Sequence, residues 1–69
     1  MQEIRDCRDH LVCLLETETG FIESAYKRQK TMTTLPVGGS ITIEREGTRT
    51  TITRLSEGNF NVESHCIAA

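Results

Sequence analysis

The chain has 69 residues, ten acids against eight Lys and Arg, a net charge of −2, and no tryptophan. A chain this short forms one domain, 1–69, and buries only about 60% of the surface its unfolded form exposes, so it leans on a staple, a metal or a partner subunit. The pI near 5.6 falls short of a basic nucleic-acid footprint, and no apolar run approaches the ~20 residues of a membrane-spanning helix. Three cysteines, which cannot all pair within one chain, and the polar, charged opening Met1–Arg8 point to free thiols and a cytoplasmic protein.

Residues 1–30 come first. At 100° per residue, Ile4, Cys7, Leu11, Leu14, Leu15, Phe21, Ile22, Ala25 and Tyr26 fall within one arc of roughly 140°. The expectation is an N-terminal amphipathic helix. Thr17, Thr19 and Gly20 are poor helix formers in succession, so the helix is either continuous or broken near Gly20. Early acids and the late cations Lys27, Arg28 and Lys30 suit the helix dipole.

Residues 31–39 read as a linker, because Leu35-Pro36-Val37-Gly38-Gly39 cannot continue a helix. Residues 40–66 alternate apolar and polar and read as a three-stranded antiparallel meander. A turn at Gly47-Thr48 sets Glu46 opposite Arg49 and Ile43 opposite Ile52. A loop at Ser56-Glu57-Gly58, with Gly58 left-handed and a bulge, sets Ile52 opposite Val62 and Arg54 opposite Phe60. Ile41, Ile43, Ile52, Phe60 and Val62 then share one face, with Arg45 and Arg54 at its margins. Thr42, Glu44, Thr51, Thr53, Asn61 and Glu63 coat the other. The fold class expected is α+β, one helix on one sheet.

Lengths give that arrangement a consequence. A 28-residue helix is roughly 42 Å long and a seven-residue strand roughly 23 Å, so half the apolar stripe stays uncovered. A soluble monomer rarely leaves such a row to water. Leu11, Leu14, Leu15, Glu18, Phe21 and Ile22 therefore form the candidate protein interface, with Glu18 as a polar specifier within it. Homodimerisation is the first expectation and a second protein the next. The free edges of the meander also offer strand addition.

Signs of chemistry are few. Cys7, His10, His65 and Cys66 lack the paired spacing of zinc ligands. Cys7 and Cys66 read instead as small buried hydrophobes, with Cys13 nearer the surface. There is no nucleophile elbow or phosphate loop, hence no expected catalytic residue, cofactor or metal. Lys27, Arg28, Lys30, Arg45, Arg49 and Arg54 are the cations of an alternative, nucleic-acid-binding reading. The function expected is a small non-enzymatic protein-interaction module. It would be a homodimeric regulator or inhibitor of the kind that phages and mobile elements carry, working through its helix face or a sheet edge.

Overall fold

A computed structural model of the chain describes residues 1–26, 28–45 and 47–67; nothing is described of Lys27, Glu46, residues 68–69 or the Tyr26 side chain. The described residues form seven strands in two antiparallel sheets. The first sheet runs β1 (Gln2–Arg5), β2 (Leu11–Glu16), β3 (Phe21–Tyr26) and β4 (Gln29–Thr34) in sequence order. The second runs β5 (Ser40–Arg45), β6 (Thr48–Ser56) and β7 (Asn59–Cys66).

The N-terminal helix expected over 1–30 is not there, so the α+β expectation is overturned: among the described residues the protein is all-β. The reason is local. Asp6 accepts hydrogen bonds at Oδ1 from the amides of Arg8 (2.8 Å) and His10 (2.9 Å), and Asp9 is left-handed at φ 64°. An aspartate that caps the amides two and four residues on builds a turn instead of a helix. Ten residues later Gly20 takes φ +81° and donates its N–H to Glu16 O at 2.8 Å, and Arg28 turns the chain again at φ 69°. Each turn interrupts what the wheel joined into one stripe.

The stripe is consequently divided between two faces. Ile4 stands opposite Cys13, and Leu15 opposite Ile22, all four buried in the core. Leu14 and Phe21 point the other way, half-buried on the outer face beside Glu23 and Glu16. Cys13, expected near the surface, is 2% exposed. A β-strand inverts its side chains at every residue, which a 100° period cannot reproduce.

The second sheet is a three-stranded meander, with one register shift from expectation. Ile52 lies opposite Val62 and Arg54 opposite Phe60, with a bulge between Arg54 and Ser56 and Gly58 at φ +78°. In the other hairpin Ile41, not Ile43, faces Ile52, and Arg49 faces Glu44; the expected partner Glu46 is outside the described residues. The slip is by two residues, so every side chain keeps its face. Thr42 and Thr51 share a 3.1 Å hydroxyl contact on the outer face, while Ile52, at 0% exposure, is the centre of the inner one.

Both sheets and the linker share one core of Ile4, Val12, Cys13, Leu15, Ile22, Leu35 and Ile52, against which Ile41, Ile43 and Phe60 pack. At one end, Arg54 Nη1 donates to Thr19 O (3.1 Å) and Leu35 O (2.9 Å), tying β6 to the β2–β3 turn and to the linker. At the other, Cys7 in the β1–β2 turn is disulfide-bonded to Cys66 at the end of β7. That bond corrects the expectation of free, buried Cys7 and Cys66: both lie at exposed positions, and only Cys13 keeps a free thiol.

Candidate functional site

Between the sheets, on the side where β4 and β5 run, lies a groove of about 280 Å³. Its floor is apolar: Ile22 from β3, Ile41 and Ile43 from β5. The β4 wall follows from the register. Thr31 pairs with Ser24 and Thr33 with Ile22, so both threonines turn toward the groove with their β3 partners. The far end is polar, where Arg45 Nη2 donates to Ser24 Oγ and Arg45 Nη1 to Leu11 O at 3.4 Å. Ser24 Oγ in turn donates to Val12 O at 2.9 Å, so one guanidinium links β5 to β3 and β2.

What makes the groove unusual is its pair of rims. Among the described residues β4 pairs only with β3, and β5 only with β6. Each therefore presents one edge of backbone N–H and C=O groups without a strand partner, a template for another chain. The linker does not let the two edges meet. Leu35 is buried, its N–H bonded to Gly20 O (2.9 Å) and its carbonyl held by Arg54. Gly38 N–H donates to Arg54 O (2.8 Å) and Arg54 N–H to Gly39 O (2.9 Å). Residues 35–39 are thus pinned to β6 instead of closing a β4–β5 hairpin.

The six residues expected to form an interface are not on one surface. Leu15 and Ile22 are each 1% exposed in the core, and Ile22 also floors the groove. Glu18 is exposed in the β2–β3 turn, Leu11 is 44% exposed, and Leu14 and Phe21 are half-buried on the outer face. Leu11 and Leu14 border a second recess of about 250 Å³ there, flanked by the Lys30–Glu23 ion pair (2.8 Å).

The cations of the nucleic-acid alternative are also dispersed. Arg54 is 8% exposed inside the protein, with its guanidinium over the Phe60 ring at 5.7 Å. Arg45 faces the groove, Arg49 lies on the outer face 3.7 Å from Glu44, and Lys30 is paired with Glu23. Arg28 is exposed at the β3–β4 turn, and Lys27 is outside the described residues.

Among the described residues, Asp6 and Cys13 depart from ordinary titration behaviour. The His10 amide bond, opposed by partial desolvation and reinforced by the Arg8 amide, holds the Asp6 carboxyl below its usual value of 3.8. Burial pushes the Cys13 thiol up, with Arg45 opposing it only in part. Cys13 is therefore a protonated, sheltered thiol at neutral pH, not a nucleophile.

The β4 threonines, Ile41, Ile43 and Ser24 were not among the expected site residues. The signal for them was present in "QKTMTT", residues 29–34, whose alternation of threonine with other residues has strand character. No protein-family model, no curated protein and no solved structure matches this chain.

Proposed function

We propose that the protein is a binding module that accepts an extended segment of a partner protein into the groove between β4 and β5. The observation that carries the reading is an apolar floor bounded by two strand edges without partners. Backbone hydrogen bonding to an edge supplies affinity, and alternate side chains directed to the floor supply selectivity. A volume of about 280 Å³ lies at the lower limit of small-molecule pockets. It suits two or three aliphatic side chains better than a nucleotide or cofactor. The module works by holding its partner, with no chemical step of its own.

A second copy of the chain is the second reading. The β4 edge carries Met32, 59% exposed on the outer face, and a two-fold pairing of β4 with itself would join two first sheets into one.

The test is capture from host lysate with Thr31→Trp, which fills the groove from an exposed position, beside Leu14→Arg on the outer face. Folding of both variants is checked by circular dichroism. A protein retained by wild type and Leu14→Arg but lost from Thr31→Trp, whatever the nuclease treatment, supports the groove. Retention by Thr31→Trp refutes it, and sedimentation of the pure protein over a concentration series decides the dimer.

A further inference from the structure

We infer that the Cys7–Cys66 disulfide is a redox-reversible latch that makes the folded state, and with it the groove, conditional on an oxidising environment. The bond joins the β1–β2 turn of the first sheet to the last residue of β7 in the second, across 59 positions of sequence, with the Cα atoms 5.9 Å apart. That separation lies within the ordinary range for a disulfide, so the backbone is already placed for closure. Both cysteines sit at exposed positions, where a thiol from solution can attack.

The latch matters because it is a covalent tie between the two sheets at that end. Beside it Arg8 of the β1–β2 turn reaches Gly47 of the β5–β6 turn and Arg45 spans from β5 to Ser24, whereas the Ile67 N–H to Gly47 O bond stays within the second sheet. Cross-linking a loop of this length raises the folding equilibrium constant by about a thousandfold, through the entropy it removes from the unfolded chain. Small domains have folding constants of roughly 10³ to 10⁸, and chains of this size lie toward the weak end. Reduction then removes a factor comparable to the whole equilibrium constant of a marginal domain.

The chemistry is thiol–disulfide exchange with a monothiol of the glutathione class or a dithiol protein. A thiolate attacks one sulfur of the bond, forming a mixed disulfide and releasing the other cysteine as thiolate. A second thiolate displaces the first reagent as its disulfide. Two electrons and two protons pass to the protein, leaving Cys7 and Cys66 as thiols and the reagent oxidised. Cys13, at 2% exposure, takes no part while the fold is closed and reports when it opens. The two walls of the groove belong to different sheets, so separating the sheets abolishes it.

The full chain is equilibrated in mixtures of reduced and oxidised glutathione, then followed by thermal melting and by alkylation with mass spectrometry. The oxidised protein is expected to show no accessible thiol under native conditions. On reduction the melting midpoint should fall by about 15–30 °C and Cys13 should become alkylated together with Cys7 and Cys66. The Cys7→Ser, Cys66→Ser double variant should melt like the reduced wild type in every mixture. Three results would overturn the inference: a reduced protein melting within a few degrees of the oxidised one, Cys13 protected after reduction, or a double variant as stable as the oxidised wild type. None of these readouts involves a partner, so the latch and the groove stand or fall separately.

Discussion

Consider replacing Gly20 by alanine. Gly20 is buried at φ +81°, and a Cβ there would lie 2.5 Å from Leu35 O and 2.7 Å from Arg54 Nη1. The left-handed backbone alone costs an alanine about 1–2 kcal/mol. The clash is with a backbone oxygen, which cannot rotate away, and with the guanidinium nitrogen bonded to it. Relief requires parting Arg54 from Leu35 O, and losing a hydrogen bond of a charged group costs about 1.5–3 kcal/mol. The sum is roughly 3–5 kcal/mol, against a total stability of roughly 3–10 kcal/mol for a domain this size. Thermal melting by circular dichroism should show a fall of about 15–30 °C, or no folded protein at all. Gly58→Ala separates the two contributions: it shares the backbone penalty at φ +78° but meets nothing within 4 Å, so it should cost only that penalty, about 1–2 kcal/mol. If the two variants melt together, the packing of Arg54 and Leu35 against Gly20 contributes nothing and the reasoning fails.

Ile52, at 0% exposure, should lose about 2–5 kcal/mol as Ile52→Ala, measured by urea denaturation. Val62→Ala, opposite it but 38% exposed, should lose less than half as much; equal losses would place the core elsewhere. Asp6 gives a pH dependence of known sign. Its carboxyl titrates below 3.8 in the folded protein, so its contribution is fully present above the unfolded value and is lost as pH falls through the lowered folded one. Melting temperatures of wild type and Asp6→Ala should therefore converge at low pH, and a constant gap down to pH 2 would show that the charge on Asp6 does not matter.

How much of this was legible in the sequence depends on which half is considered. In residues 40–66 the period-two alternation, the Gly58 turn and the pairing of Ile52 with Val62 were all readable, because one wet face and one apolar face leave a single register for the second hairpin. The first hairpin slipped by two because Ile41 and Ile43 are equivalent by pattern: either can face Ile52 without moving a side chain across the sheet. The first thirty residues misled for a stronger reason. Leu11-Val12-Cys13-Leu14-Leu15 is apolar at consecutive positions, and such a run fits a helix or a strand equally well by periodicity. The deciding evidence was punctuation. Asp6–Asp9 and Thr17–Gly20 are about eleven residues apart, and Pro36–Gly39, Gly47 and Gly58 again follow at about ten or eleven, the rhythm of short strands in an all-β protein. The disulfide was hidden for a different cause, since nothing local connects positions 7 and 66 until two sheets place them together.

The candidate site was hidden more deeply, because its rims are backbone and not residue types. Strand edges become visible only when the strand order is known, and here that order turns on the linker. Residues 35–39 are held by Arg54 on β6. Its carbonyl and amide engage Gly38 and Gly39, its side chain grips Leu35 and Thr19, and its Nε remains without a partner in the interior. An unsatisfied buried donor on a guanidinium is costly, and an apolar residue at 54 would pack beside Phe60 without that cost. It could not hold the carbonyls of Thr19 and Leu35 together. The position sacrifices some stability and gains a linker fixed against β6. Gly20 and Arg54 thereby anchor the chain between β4 and β5 at one end of the molecule.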